Sequence, residues 1–230
     1  MHSPYYYGFD SVYAMLVIPA IIIAVWSQIK VKTTFSKYSN FRCNITGAEA
    51  ARRVLSANGV TDVKIERVSG NLTDHYDPKA NVIRLSDSVC DENNIAAVGV
   101  AAHEAGHAVQ YAKGYSPIKL RAVILPVCQL GSQLSIPLLI AGLLFNFYFL
   151  VKLGVLFFCA ALFFQLVTLP VEFNASKRAM QCITEKNILV SASDIKGARR
   201  VLSAAAMTYV AALLISLTQL IRLISISRRR

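Results

Sequence analysis

The chain has 230 residues, 55% of them hydrophobic and only 16% charged, and its formal net charge is +11 at pH 7. Soluble domains usually carry about 25% charged residues, so insertion into a membrane is the first property that this composition indicates. A positive charge of this size could reflect a nucleic-acid partner, but the basic residues lie mostly beside apolar runs and form no aromatic-rich patch in the sequence. We therefore assign the excess charge to membrane topology and anionic lipids, and expect no nucleic-acid partner.

The cysteines are too scattered to predict a disulfide framework. There are five of them, and no two form a Cys-x-x-Cys pair: Cys43, Cys90, Cys128, Cys159 and Cys182. An odd number without such a pair suggests neither a set of disulfides nor a thiolate zinc site. This usage is typical of a reducing compartment.

The first apolar run predicts a transmembrane anchor over residues 1–29. Its uncharged part, residues 12–29, is about long enough to cross a hydrocarbon core of ~30 Å. A cleavable signal peptide would need basic residues before the run, whereas Lys30, Lys32 and Lys37 follow it. By the positive-inside rule the N-terminus lies outside and the following residues lie in the cytoplasm.

Residues 30–122 form one predicted domain, whose interspersed charges of both signs are typical of a small soluble α+β fold. A capping box, period-two alternation, turn residues and a glycine stop divide it into short elements. The predicted elements are a helix from Thr46 to Asn58, a strand at 63–68, a hairpin at 72–85 with its turn at 77–81, and a long helix from Asp91 to Lys113.

The apolar runs at 123–147 and 148–170 predict a transmembrane hairpin over residues 123–170, because each is long enough to span and almost no polar sequence joins them. Residues 171–203 form a basic polar segment, and residues 204–230 an apolar helix with a basic tail. If this last helix spans, the tail ends outside, against the positive-inside rule, so the sequence leaves open whether it crosses or lies in the interface. The predicted fold class is mainly α: a multi-spanning membrane protein with a small α+β domain.

The heptapeptide ARRVLSA occurs twice, at residues 51–57 and 198–204. A repeat architecture needs several copies at a fixed period. We therefore interpret the two copies as similar helix segments rather than as a duplication.

Residues 103–107 read HEAGH, which matches the zinc-peptidase pattern H-E-x-x-H. On a helix, His103 and His107 project from one face and can bind one Zn²⁺ ion at ~2.0–2.1 Å. Glu104 then lies beside the first ligand, where it can accept a proton from the water that zinc activates at neutral pH. The alternative is a chance match, which a chain with only four histidines makes rare. The motif predicts that the α+β domain is a zincin-like catalytic domain, and the small residues around it would let another segment pass close to the helix.

A catalytic zinc usually has three protein ligands, so the two histidines leave one ligand to be found. No third histidine follows at the short spacing of H-E-x-x-H-x-x-G-x-x-H. Glu172 is the candidate because two membrane crossings separate it from His107, and two crossings return the chain to the face it left. Glu185 is the rival, but it lies farther from the membrane edge. Two histidines and one glutamate are a known ligand set of catalytic zinc.

Four segments of the chain resemble the YugP-like membrane zinc metallopeptidases of bacteria, and together they extend over nearly its whole length. They are GNLTDHYDP at 70–78, VAAHEAGHAVQ at 100–110, PVEFNAS at 170–176 and AAAMTYVA at 204–211. The resemblance implies a bacterial integral membrane neutral metallopeptidase. With the topology predicted above, its active site faces the cytoplasm from the cytoplasmic (inner) membrane.

A more distant similarity links the chain to the HtpX and CAAX-protease group, in which a glutamate after a membrane span completes the zinc site. That group often has an aspartate four residues beyond the glutamate, whereas this chain has Ser176 there. A supporting hydrogen bond would therefore have to come from Ser176 or Asn174.

Further candidates for the site are Asp74, His75 and Tyr76. A strand or hairpin ahead of the motif helix commonly lines the cleft, where an extended substrate can add as another strand. His75 could stabilise the oxyanion that develops during hydrolysis, or it could be an ordinary turn histidine. Asn71 and Gln110 are weaker candidates.

Three functions are compatible with these residues. The first is a zinc endopeptidase that acts on membrane or membrane-proximal polypeptides at the bilayer. The second is a zinc hydrolase of an amide or ester in a membrane substrate, since Glu104 and zinc would serve any acyl centre. The third is a catalytically silent scaffold that keeps zinc, although structural zinc is usually closed by four ligands.

Overall fold

The computed structural model describes residues 11–228 as six helices and three short strands. In chain order they are α1 (Ser11–Ser39), α2 (Gly47–Ala57), β1 (Lys64–Val68), β2 (His75–Asp77), β3 (Val82–Ser86), α3 (Ile95–Ala112), α4 (Ser116–Leu144), α5 (Tyr148–Glu185) and α6 (Ala192–Arg228). The first ten residues of the predicted 1–29 anchor and the last two residues of the basic tail lie outside the described part of the chain.

The strands form one small sheet in the order β1-β3-β2. β1 runs parallel to β3, and β2 runs antiparallel to it with His75 opposite Arg84. The predicted hairpin is therefore confirmed as β2 and β3. Its turn uses the expected chemistry, because the Asp77 carboxylate accepts the N–H groups of Lys79 and Ala80 and Asn81 has a left-handed φ of 52°.

Side-chain caps fix where the helices of the α+β domain begin. The predicted capping residue Thr46 accepts a hydrogen bond from the Glu49 N–H group, so α2 begins at Gly47. α3 begins at Ile95, later than the predicted Asp91, because the side chain of Asn94 accepts the Ala97 N–H group at 2.9 Å.

The motif helix α3 is the centre of the domain. It packs against α2, α5 and α6, and most of its side chains are buried. Both copies of the repeated heptapeptide lie on helices that contact it, at residues 51–57 on α2 and 198–204 on α6. In each copy the first alanine, the valine and the leucine belong to the same hydrophobic core: Ala51, Val54, Leu55, Ala198, Val201 and Leu202. The repeat is thus one helix sequence used twice to cover α3.

Four helices, α1, α4, α5 and α6, are each long and apolar enough to cross a membrane. They leave large apolar side chains uncovered, among them Met15, Val123 and Leu144, which are 77%, 73% and 73% exposed. Apolar surface of this extent indicates contact with lipid. The predicted fold class, a mainly α multi-spanning membrane protein with a small α+β domain, is confirmed.

The two apolar runs predicted as a hairpin form α4 and α5, joined by a turn in which Asn146 has a φ of 51°. The helices approach closely where glycine faces the partner helix. A Cβ atom on Gly154 would lie 2.8 Å from the Ser135 carbonyl oxygen, which only glycine permits.

α5 differs from the sequence-based expectation, because it does not end near residue 170. It continues as one helix through Pro170 to Glu185, so the predicted boundary between the hairpin and the segment with the third ligand lies inside the helix. A proline inside a helix removes one hydrogen bond and normally ends or kinks it. Here the part of the helix beyond Pro170 packs against α3, and the residues on that face, such as Val171 and Ala175, are fully buried. This packing outweighs the local preference.

Candidate metal centre

Three ligand-type side chains converge where α5 crosses α3. His103 and His107 lie one turn apart on α3, with their ring centroids 4.7 Å apart. Glu172 projects from α5, and its Oε2 atom lies 3.2 Å from Nε2 of His103 and 3.5 Å from Nε2 of His107. Within the described residues this is the one group of three such side chains whose ligand atoms all lie within 4.8 Å of one another. The structure therefore brings Glu172 to the two histidines, as the two-crossing argument predicted.

The spacing of these atoms fits a zinc ion. Donor atoms ~2.0–2.1 Å from one tetrahedral ion lie roughly 3.3 Å apart, close to the two distances between Glu172 and the imidazoles. Two nitrogens and one carboxylate oxygen leave the fourth position open, which is the composition of a catalytic rather than a structural zinc site.

Hydrogen bonds to the far side of each imidazole leave the nitrogens that face Glu172 free to act as ligands. The Gln110 amide donates from Nε2 to the Val171 carbonyl oxygen at 2.8 Å, so its Oε1 atom must accept from Nδ1 of His107, at 3.0 Å. Nδ1 of His103 lies 3.1 Å from Oγ of Ser176, which can accept a hydrogen bond from it. When a metal binds, each imidazole would keep its proton on Nδ1 and use Nε2 as the ligand atom, as metal ligation requires.

The other oxygen of Glu172 has a cationic partner that the sequence analysis missed. Nη1 of Arg121, on α4, lies 2.9 Å from Oε1 of Glu172. The hairpin topology could have identified this pair. Arg121 immediately precedes the first apolar run and Glu172 immediately follows the second, so both must lie at the same edge of the membrane.

A cavity of about 170 Å³ opens beside these residues, and we call it the metal-site cavity. His103, Glu104 and Glu172 line it together with Asp74 and Tyr209. The predicted base therefore faces the same space as the predicted ligands. Its remaining walls are mostly small or apolar side chains: Leu72, Val100, Ser176, Val201, Leu202, Ala205 and Ala206.

Comparisons with known proteins agree with this geometry. The model of a family described as "Putative neutral zinc metallopeptidase" matches residues 13–228. A protein of Bacillus subtilis (strain 168), "Putative membrane protease YugP", is 46% identical over 216 residues, which cover 93% of this chain and 96% of that protein. The chain belongs to this metallopeptidase family. No solved structure matches it.

Membership of a zinc metallopeptidase family agrees with the donor set of two histidines and a glutamate. It also agrees with the four apolar helices, since the Bacillus relative is named a membrane protease. This protein is therefore a membrane protein of a zinc peptidase family.

The electrostatic environment of the candidate metal centre favours cations. Burial alone would lower the pKa of His107, but its hydrogen bond to Glu172 and the nearby charge of Glu104 outweigh burial and raise that pKa. At Asp74, burial raises the pKa more than the hydrogen bonds from Ser86 lower it. The negative charges of Glu104 and Glu172 beside the imidazole of His107 thus favour a cation at this site.

The candidates in the hairpin divide into two groups. Asp74 lines the metal-site cavity, whereas His75 is exposed, does not line it, and has its Nδ1 atom 2.8 Å from the Thr73 carbonyl oxygen. Tyr76 packs against Tyr111 of α3, with ring centroids 5.6 Å apart. The oxyanion role of His75 stays a prediction. The alternative hydrogen-bond donor is Tyr209, which does line the cavity.

The remaining candidates fall into supporting or distant positions. Gln110, ranked low from the sequence, orients His107, and Asn174 accepts a hydrogen bond from Gln110 at 3.0 Å. Asn71 is exposed and does not line the cavity. Glu185 lies 13 residues beyond Glu172 on α5, about 20 Å along the helix, so the rival ligand is too far away.

Tyr209 lines the metal-site cavity, and the sequence analysis gave it no role. It belongs to the segment at 204–211 that resembles the family, and α6 brings it close enough to interact with Glu172. The resemblance marked the segment, but only the packing of α6 against α5 shows which of its side chains reaches the site.

Proposed function

We propose that the protein is a membrane-embedded zinc endopeptidase in which His103, His107 and Glu172 hold one zinc ion and Glu104 is the general base. The observation that supports this most strongly is the convergence of three ligand atoms from α3 and α5 beside a cavity that Glu104 also lines. When bound there, zinc would make a water nucleophilic at neutral pH and polarise the substrate carbonyl.

Each side chain around the cavity has a defined task in this proposal. The Glu104 carboxylate accepts a proton from the attacking water and then donates it to the departing amine. Gln110 and Ser176 hold the two imidazoles in the orientation required of ligands. Tyr209, or His75 after a movement of the hairpin, would donate a hydrogen bond to the oxyanion.

The edge of the sheet offers a place for an extended substrate. β2 is an edge strand, paired on one side with β3, and it begins directly after Asp74 of the cavity wall. A polypeptide that adds as a further strand would pass the metal site in extended form. Pairing with an edge strand requires a peptide backbone, so this feature favours a peptidase over a hydrolase of a compact lipid.

The proposed location is the bacterial cytoplasmic (inner) membrane, with the site facing the cytoplasm. Lys30, Lys32 and Lys37 follow the apolar part of α1, and Lys119 and Arg121 precede that of α4. Both sets lie on the side of the α+β domain, which the positive-inside rule places in the cytoplasm. Substrates would then be membrane or membrane-proximal polypeptides.

Metal analysis combined with cleavage of casein tests the proposal. His103→Ala and Glu172→Gln should lose zinc, whereas Glu104→Gln should keep one zinc and lose ~10²–10⁴-fold in turnover, since only the base is removed. Full zinc content in Glu172→Gln would refute the ligand assignment. Hydrolysis of ester- or amide-linked lipids without casein cleavage would refute the peptidase and support a hydrolase of membrane substrates. Bound zinc without any turnover would support the catalytically silent scaffold.

A further inference from the structure

A second and larger cavity lies between α5 and α6, and we call it the α5–α6 groove. Its volume is about 550 Å³. One face of α5 forms one wall, with Phe173, Lys177 and Met180, and one face of α6 forms the other, with Ser203 and Met207. The residues of each wall recur at helical spacing, so the groove follows the two helices over several turns.

The groove adjoins the metal-site cavity, because Ser176, Leu202 and Ala206 line both. The volumes decide which of the two can bind a substrate. Ligand sites usually measure about 300–1,000 Å³, so the metal-site cavity of about 170 Å³ is too small by itself, while the groove is in the usual range. The groove therefore offers room for part of a substrate that the metal-site cavity cannot hold by itself.

The chemistry of the groove suits a polypeptide at the membrane surface. Its interior is apolar and contains two methionines, Met180 and Met207, whose flexible side chains adapt to different partners. Its margins carry charges of both signs, from Lys177, Glu185 and Arg199. An acyl chain has no group to pair with such charges, whereas the charged side chains of a polypeptide do.

The position of the groove supports the same occupant. It runs along residues 173–185 of α5, beyond the apolar segment that ends near residue 170. It therefore lies beside the bilayer, on the side of the α+β domain, rather than among lipid tails. A chain that leaves the membrane next to the metal site would enter it directly.

From these observations we propose that the α5–α6 groove binds the substrate polypeptide on one side of the scissile bond and selects large apolar side chains there. This inference rests on the proposed function, since it assigns a specificity site to the same metal centre.

The repeated heptapeptide offers a matched pair of variants. Ser203 lines the groove, and Ser56 occupies the same place in the other copy of ARRVLSA, on α2; both serines are exposed. Ser203→Trp should fill the groove, whereas Ser56→Trp adds the same side chain in the same local sequence away from it. Because both sites are exposed, neither change should prevent folding.

The first measurement uses a library of short peptides of mixed sequence, with cleavage positions read by mass spectrometry. Wild type and Ser56→Trp should cut beside large apolar residues, and Ser203→Trp should lose that preference and raise KM at least ~10-fold, as expected when an apolar pocket is blocked. Zinc content should be equal in all three. Identical KM values and cleavage preferences in the two tryptophan variants would overturn the proposal.

A second measurement does not depend on hydrolysis, so the groove can be judged even if no peptide is cut. In the Glu104→Gln protein, Ser203 or Ser56 is replaced by the photo-crosslinker p-benzoylphenylalanine, and a casein peptide rich in leucine and phenylalanine is added. Crosslinking to that peptide from position 203 but not from position 56 would support the groove, even where absent cleavage refutes the peptidase. Crosslinking only to phospholipid, or equally at both positions, would overturn it.

Discussion

Glu172 uses its two carboxylate oxygens for different partners. Oε2 faces both imidazoles, while Oε1 accepts a hydrogen bond from Arg121. The side chain of Glu172 is only 3% exposed. Without the arginine, one oxygen of this buried carboxylate would lack a partner for its negative charge, which is unfavourable. The arginine thus fixes which oxygen is offered to a metal and balances part of its charge.

Replacement of Arg121 tests this division. We expect Arg121→Gln to weaken zinc binding ~10–100-fold, the usual effect of removing a partner that orients a ligand. Arg121→Lys keeps the charge but not the forked geometry, and should weaken it less. Competition with a chelator measures the affinity. Wild-type zinc affinity in Arg121→Gln would show that Glu172 is oriented by its helix alone.

The identity of the oxyanion donor is a second question at the scale of single residues. Tyr209 lines the metal-site cavity and His75 does not. We expect Tyr209→Phe to lower kcat by ~10²–10³-fold with zinc content unchanged, the usual effect of removing such a donor, and His75→Ala to change kcat little. Steady-state kinetics on casein peptides measures both. The opposite outcome would establish the role predicted for His75 and would require the hairpin to move during catalysis.

At the scale of elements, the metal centre depends on how closely α5 approaches α3. A Cβ atom on Gly106 would lie 2.7 Å from the carbonyl oxygen of Ala175, a distance at which backbone must move. Gly106 sits between the two histidines, and Ala175 is one turn beyond Glu172. The small residues predicted to admit another segment therefore admit the helix that carries Glu172, the proposed third ligand.

A pair of alanine substitutions in α3 separates this contact from general effects on the helix. Gly106→Ala should displace α5, lower the free energy of unfolding by the ~1–3 kcal/mol typical of overpacking, and reduce zinc content. Gly99→Ala is the control, since its Cβ would meet Ala198 at an ordinary 3.7 Å; glycine is a poor helix former, so this change should be neutral or stabilising. Thermal unfolding and metal analysis of both variants would decide, and a zinc-loaded, stable Gly106→Ala would contradict the explanation.

At the scale of the whole molecule, the hairpin of α4 and α5 connects the two halves of the site. The chain leaves the α+β domain at α4, turns at residues 145–147 and returns along α5. Arg121 at the start of the hairpin and Glu172 beyond its end form an ion pair. We therefore expect the hairpin turn and the candidate metal centre to lie on opposite sides of the membrane.

Labelling with a membrane-impermeant thiol reagent tests this topology. Phe145 is 79% exposed in the hairpin turn, and Lys79 is exposed in the turn between β2 and β3. In intact cells or spheroplasts we expect Phe145→Cys to react and Lys79→Cys to react only after permeabilisation, each compared with the native cysteines of the wild type. The reverse pattern would place the metal centre outside the cytoplasm.

Local sequence determined much of this protein. The length and apolar composition of four runs predicted the apolar helices, turn residues predicted the β2–β3 hairpin, and the four-residue spacing placed His103 and His107 on one face. The number of membrane crossings predicted that Glu172 would return to them. Each of these features depends on residues near one another in the chain, or on counting crossings, and so can be read without coordinates.

Tertiary packing decided the rest. Local propensity ends α5 at Pro170, yet contact with α3 carries the helix on to Glu185. The contacts of Arg121, Tyr209 and Ser176 depend on how each helix is rotated about its own axis, which neighbouring helices set through the fit of their side chains. The α5–α6 groove depends on packing for the same reason. Its walls come from two helices that are distant in sequence, so its shape is set only when those helices pack together.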